Sequence, residues 1–179
     1  MEVENHIIKN VRFLQSPNHN ERPDKEKISL LIIHCISLPE GNYEGSNVED
    51  FFLNKLSISD HNSFDKIKDL KVSSHLYIKR NGELVQFVPF NKRAWHAGES
   101  SYKGVSDCNN YSIGIELEGT DDDFYTADQY DTLIEVTKGV INNYPLINKD
   151  SIVGHSDVSP GRKTDPGTKL DWDRFLEAL

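Results

Sequence analysis

Apolar residues run, alternate or recur along this chain in patterns that assign most of its regular elements. ISLLIIHC, residues 28–35, is a short unbroken apolar run rich in isoleucine. Its length and β-branching predict a strand buried on both faces, with His34 near its end. In SSHLYIKRNGELVQFVPF, residues 73–90, apolar and polar residues alternate on either side of Asn81-Gly82. That dipeptide suits the positive φ angles of a type I′ turn, so a β-hairpin is predicted. NNYSIGIELEG, residues 109–119, sets Ile113, Ile115 and Leu117 against Gly114, Glu116 and Glu118, which predicts a further strand with Glu116 on the face away from the apolar set.

Helical signals follow a different period. Ser46 and Glu49 form a capping-box pattern ahead of Val48, Phe51, Phe52 and Leu56, predicting a helix over about 47–56. Thr126 and Gln129 repeat the pattern, and Tyr130, Leu133, Ile134, Thr137, Val140 and Ile141 then share one stripe, predicting the longest helix over about 127–143. Asp171 is placed to cap a last short helix through Trp172, Phe175 and Leu176. Residues 57–71 show no clear period, and the polar stretch SPNHNERPDKEK, residues 16–27, reads as a linker. Strands and helices mix throughout, so the expected fold is an α/β domain, a central mixed β-sheet flanked by helices, occupying residues 1–179 as a single unit.

Composition narrows the setting. A chain of 179 residues is long enough for one core without disulfide staples, and it is expected to work as a monomer. A formal net charge of -9 argues against nucleic acid or an anionic membrane as partner, because counterion release requires a basic face. The N-terminus carries acids early and no apolar run of signal-peptide length, and no segment approaches the roughly 20 apolar residues of a membrane span. A cytoplasmic protein is expected. Cys35 and Cys108 have neither zinc-knuckle nor redox-pair spacing and are read as reduced thiols.

The candidate chemistry centres on GHSDVSPGRKTDPG, residues 154–167, a segment too rich in glycine and proline to be a helix. Seven histidines are present, of which His6, His19 and His61 lie in polar surroundings and read as exposed. His34 and His155 each end a short apolar run and enter a polar turn. A lone histidine of this kind is as often a satisfied core residue, but two together with a carboxylate fit a hydrolytic zinc site with one open position. Asp157 and Asp165 are both available, and Lys163 precedes Asp165 by two residues, so in extended chain the two side chains share a face. A lysine there is able to hold a developing oxyanion. Glu116 is the candidate proton acceptor, with Glu118 as its rival. In RAWHAG, residues 93–98, Trp95 and His96 suit an aromatic wall for a sugar or peptide, although a packed tryptophan is the commoner fate. His75, inside the hairpin, reads as a buried hydrogen-bonded residue.

Together, LIIHC, the hairpin, RAWHAG, SIGIELEG and GHSDVSPGRKTDPG resemble, in order and spacing, the zinc-dependent N-acetylmuramoyl-L-alanine amidases. These enzymes share a fold with phage T7 lysozyme and the peptidoglycan recognition proteins. The likeness runs from about residue 5 to 178 and is strongest to the branch that acts on 1,6-anhydro-muropeptides in cytosolic cell-wall recycling. It implies that His34, His155 and Asp165 bind Zn2+, that Glu116 is the general base, and that Lys163 stabilises the tetrahedral oxyanion. The implied reaction is hydrolysis of the amide between the lactyl group of the anhydromuramoyl sugar and L-alanine of the stem peptide. It also marks Lys71, Cys35 and Asp107 as substrate-binding positions, which join Trp95 of the RAWHAG stretch in one substrate-binding set. Three of these depart from the family, in which Asn commonly follows the first zinc histidine and Arg commonly stands at positions 71 and 107. Lysine loses the planar fork of arginine, and Asp107 reverses the sign. Two alternatives are a phage-type or secreted amidase cutting intact peptidoglycan, and a peptidoglycan-binding module without catalysis. The second is usually betrayed by a missing ligand, and here each implied ligand is present.

Overall fold

The computed structural model describes residues 1–24 and 27–179. Its centre is a mixed sheet of six strands: β1 (Arg12–Phe13), β2 (Leu30–Ile36), β3 (Leu76–Ile78), β4 (Leu84–Gln86), β5 (Ser112–Glu118) and β6 (Ile152–Gly154). The order across the sheet is β6-β2-β5-β3-β4-β1. β3 and β4 pair antiparallel, while the other neighbours run parallel. Four helices accompany it: α1 (Asn47–Phe52), α2 (Ala127–Asn143), α3 (His155–Val158) and α4 (Trp172–Glu177).

Both faces of the central strands are covered, which is why every residue of β5 is buried. One face carries Leu31, Ile33, Ile113, Ile115 and Leu117 against Leu133, Val136 and Val140 of α2 and Phe175 of α4. Each such side chain contributes about 1.5–3 kcal/mol by leaving water. The opposite face begins with Leu30 and Ile32 packed on Ala97, Cys108 and Val158. By strand alternation it continues with His34 on β2 and Glu116 on β5. The expected capping box of α2 forms, with Thr126 Oγ1 accepting from the Gln129 N–H at 3.1 Å and Gln129 Oε1 accepting from the Thr126 N–H at 3.1 Å. Asp171 caps α4 by accepting from the Arg174 N–H at 2.9 Å.

Five expectations are corrected. The segment 154–167, read as unable to be helical, opens with the single turn α3, His155–Val158, before its prolines and later glycines begin. The Ser46–Glu49 capping box does not form: Ser46 Oγ donates to Asp50 at 2.6 Å, and Glu49 turns inward to Lys79 at 2.7 Å and to Arg12. α1 stops at Phe52, short of 56, as the chain turns through Asn54 at φ 58°. The hairpin turn is not type I′, because only Gly82 of the Asn-Gly pair has positive φ, 79°. The Gly82 N–H donates to Lys79 O and the Lys79 N–H to Glu83 O, both at 2.9 Å, giving a three-residue loop closed by a left-handed glycine. The polar stretch at 16–27 is no linker where it is described. Ser16, Asn18 and Arg22 are buried, and His19–Glu21 pairs antiparallel with Lys92–Ala94; Lys25 and Glu26 lie outside the described residues.

The burial of these polar groups has a cause. Ser16 Oγ and Asn18 Nδ2 donate to Phe52 O at 2.6 and 3.1 Å, satisfying a carbonyl at the end of α1. Arg22, 4% exposed, donates to the carbonyls of Phe90, Asn109, Asn110 and Ser112 at 2.7–3.1 Å. The silent region 57–71 contains two 3₁₀ turns, Ile58–Asp60 and Asn62–Lys66, whose three-residue repeat leaves no 3.6-residue signature.

Candidate active site

Parallel strands deliver the site. Glu116 is the register partner of His34 across β2 and β5, so both side chains leave the same sheet face side by side. His155 follows the last residue of β6, which pairs on the other side of β2. Asp165 arrives on the glycine- and proline-rich loop, fixed where the Ser156 N–H donates to Asp165 O at 3.0 Å and Tyr125 OH donates to Pro166 O at 2.7 Å. Such gatherings at the carboxyl ends of parallel strands are where α/β folds bind ligands.

Three donor atoms meet there. His34 Nδ1 lies 2.9 Å from His155 Nδ1 and 3.1 Å from Asp165 Oδ2, and His155 Nδ1 lies 3.0 Å from the same oxygen. His155 Nε2 donates to Ala97 O at 3.0 Å, which leaves its Nδ1 as a lone-pair donor aimed at the other two. Two imidazole nitrogens and a carboxylate form a donor set that zinc takes, and a tetrahedron with bonds of ~2.1 Å has edges of roughly 3.4 Å. The triangle is within a few tenths of an ångström of that size, so a zinc ion fits these residues. Asp157 is excluded, because its Oδ2 accepts from the Gly154 N–H at 2.7 Å and closes a local turn.

Burial sets the electrostatics. His34 is 1% exposed and its pKa is pushed down to about 4, burial outweighing Asp165. Burial alone would raise Asp165, but its contacts with His155 and His34 hold it well below the usual carboxylate range. Glu116, 8% exposed, is pushed well above its ordinary value by burial and by Asp165, with Lys163 opposing. Its Oε2 has no hydrogen-bond partner among the described residues. Glu118, the rival, accepts from Tyr77 OH at 2.6 Å and the Arg80 N–H at 2.8 Å and is thereby tied into the fold.

A cleft of about 260 Å³ opens on these groups, with Lys163 and Trp95 at its edge and Phe51, Phe52, Ile67 and Leu70 as an apolar wall. A second hollow of about 410 Å³ shares Trp95 and Lys163 with it and extends past Lys71, Arg93 and Arg162. Trp95 is thus a cleft residue, held by its Nε1–H donating to Asn20 at 2.8 Å. Cys35 lines the cleft with its thiol towards Asp121, and both cysteines are free. Lys71 borders the second hollow, whereas Asp107 lines a separate depression beside Glu99 and Arg162.

His6 and His61 are exposed as expected, but His19 is half-buried beside Lys92 with its Nδ1 unpartnered among the described residues, and burial lowers its pKa. His75 is a buried hydrogen-bonded residue, its Nδ1 accepting from the Gly114 N–H at 3.0 Å and its Nε2–H donating to Lys92 O at 3.0 Å. His96 lines the cleft beside Trp95, and it also stands behind His34, a contact that sequence reasoning missed. The Gly114 that makes room for it was a readable sign, since glycine inside a strand marks close approach.

Residues 24–168 match the family model of N-acetylmuramoyl-L-alanine amidases. The chain is 46% identical over 178 residues to the 1,6-anhydro-N-acetylmuramyl-L-alanine amidase AmpD of Haemophilus influenzae, covering 99% of this chain and 97% of that protein. It superposes on a crystal structure of a selenomethionine AmpD derivative with a TM-score of 0.97 and 46% identity, covering 100% and 99% of the two chains. The Escherichia coli amidase AmiD, solved with the substrate anhydro-N-acetylmuramic acid-L-Ala-D-gamma-Glu-L-Lys, matches with a TM-score of 0.62 and 30% identity over 85% of this chain and 57% of that one.

Proposed function

This chain belongs to the N-acetylmuramoyl-L-alanine amidase family, and from that premise we propose that it hydrolyses the amide between the lactyl group of 1,6-anhydro-N-acetylmuramic acid and L-alanine of the stem peptide. The substrate is a soluble muropeptide recovered in cytosolic wall recycling, and residues 1–179 act as one monomeric amidase domain. The observation that carries this reading is the triangle of His34, His155 and Asp165 donor atoms, 2.9–3.1 Å on a side, in the cleft lined by Glu116. The near full-length likeness to AmpD supports the anhydro-muropeptide as substrate.

His34, His155 and Asp165 hold zinc. When bound, zinc supplies Lewis-acid polarisation of a carbonyl and makes water more acidic. Glu116 accepts the proton of the attacking water on its carboxylate and returns it to the leaving L-alanine nitrogen, acting first as base and then as acid. Lys163, charged and open to the cleft, stabilises the oxyanion that forms at the scissile carbonyl. The apolar wall of Phe51, Phe52 and Ile67 limits water around these groups and strengthens the charge interactions. Trp95, Cys35 and Lys71 border the path of the bound muropeptide, and Asp107 lies beyond it.

The test is release of free stem peptide from a soluble 1,6-anhydro-muropeptide, measured beside purified wall sacculi, with and without a chelator and with zinc restored. Cleavage of the soluble substrate, lost on chelation and recovered with zinc, is expected. Cleavage of sacculi alone would move the function to intact wall, and chelator-resistant cleavage would overturn the metal assignment.

A further inference from the structure

We propose that His96 is a positioning residue for His34, holding it through a hydrogen-bonded relay that runs from His34 through His96 to Ser112. The proposal deepens the metal assignment above and rests on it. When His34 Nδ1 gives its lone pair to an ion, the ring proton must sit on Nε2, and a buried N–H requires an acceptor. His96 Nδ1 lies 2.9 Å from His34 Nε2, with the two rings at 90°. His96 then accepts at Nδ1 and carries its own proton on Nε2, where Ser112 Oγ lies 3.2 Å away to receive it. The protonation pattern of both rings follows from these contacts.

The surroundings are built around the relay. Gly114 sits on β5 between Ser112 and Glu116, and a Cβ there would lie 2.5–2.7 Å from three atoms of the His96 ring. The glycine is therefore required by the imidazole beside it, since its own φ lies outside the left-handed region. Asn109 Oδ1 accepts from the N–H groups of both His96 and Ala97, at 3.1 and 2.8 Å, and pins this segment. The next carbonyl, Ala97 O, accepts from His155 Nε2 at 3.0 Å. Two successive residues thus orient both imidazoles of the metal triangle, one with a side chain and one with its backbone. Neither touches the donor atoms themselves.

The test joins ¹⁵N-histidine NMR of the zinc-loaded wild-type protein with zinc affinity measured by chelator competition. The expected spectrum shows His34 and His96 both protonated at Nε2 only. The variant His96→Leu is expected to lose 10–100-fold in zinc affinity, the usual cost of removing such a partner. His96→Asn, which keeps an acceptor oxygen near the place of Nδ1, is expected to recover most of it. A His96 protonated at Nδ1, a His96→Leu protein within threefold of wild type, or an Asn variant no better than Leu would each overturn the relay. The wild-type spectrum decides the matter even if the leucine variant fails to fold. Wild-type protein that takes up no zinc overturns the metal assignment and the relay together, whereas normal uptake with an indifferent His96→Leu variant overturns the relay alone.

Discussion

Adding one methyl group at Gly114 is the sharpest perturbation of this site that leaves the donor atoms and the cleft lining chemically unchanged. In Gly114→Ala the new Cβ would stand 2.5 Å from His96 Nδ1, where ordinary contact begins at 3.4 Å. The imidazole must withdraw by about 0.9 Å or the strand must bend by as much. Withdrawal along the line to His34 would stretch the 2.9 Å contact between His34 Nε2 and His96 Nδ1 to about 3.8 Å, beyond hydrogen-bonding range. Overpacking of this kind costs about 1–3 kcal/mol of stability, and losing the partner of a metal histidine costs about 10–100-fold in metal affinity. Urea denaturation of the metal-free protein reads the first quantity, and chelator competition reads the second. Both losses are expected together, with the affinity loss present under conditions where the variant is fully folded. A folded Gly114→Ala protein binding zinc within threefold of wild type would refute the reasoning, because the clash would then have been absorbed without disturbing His34.

Replacing Glu116 by Gln keeps the shape and removes the proton acceptor; turnover should fall about 10²–10⁴-fold, roughly 3–5 kcal/mol of barrier, while bound zinc stays stoichiometric by elemental analysis, and activity within tenfold of wild type would remove Glu116 from the role of base. Burial raises the pKa of Glu49, but hydrogen bonds from Lys79 and Arg12 outweigh it and hold the folded-state value below its ordinary 4.5. The stability this supplies is present above pH 4.5 and is lost as pH falls through the lower folded value. Glu49→Gln should therefore cost about 1–2 kcal/mol at pH 7, modest because both cations are partly exposed, and the difference from wild type in urea melts should shrink on acidification. Gly167 stands at φ 79°, and a Cβ there would lie 2.0 Å from Asp121 O; Gly167→Ala should cost about 2–4 kcal/mol, a drop of roughly 4–16 °C in Tm by calorimetry.

What could be read from the chain alone divides along physical lines. The bounds of α2, 127–143, follow from a cap and a stripe that are both local, and the structure has the helix as Ala127–Asn143. The capping pattern at Ser46 misleads because Glu49 is claimed by Arg12 and Lys79, residues distant in sequence whose approach no local rule registers. Asn81-Gly82 marks a turn but not its type, since lengthening the loop by one residue lets asparagine keep negative φ. In the site, His34 and His155 show themselves as imidazoles at the ends of apolar runs. Residues alone could not separate Asp157 from Asp165; the family resemblance did, and the structure adds the reason that Asp157 is occupied by its own turn. The contacts of His96 stayed hidden because its partners, His34 and Ser112, are brought to it by sheet order rather than by spacing.

Arg22 carries a consequence for where the polypeptide can be trimmed. The span that matches the family model begins at residue 24, two positions after the guanidinium that satisfies the carbonyls of Phe90, Asn109, Asn110 and Ser112. It ends at 168, before Leu170 and Phe175 close the sheet face opposite the site. A truncated product cut to the recognisable span would strip the guanidinium from four carbonyl oxygens, three of them in buried contacts, on one side and uncover an oily surface on the other. The stretch that advertises ancestry is therefore smaller than the stretch that must be synthesised for the molecule to stand.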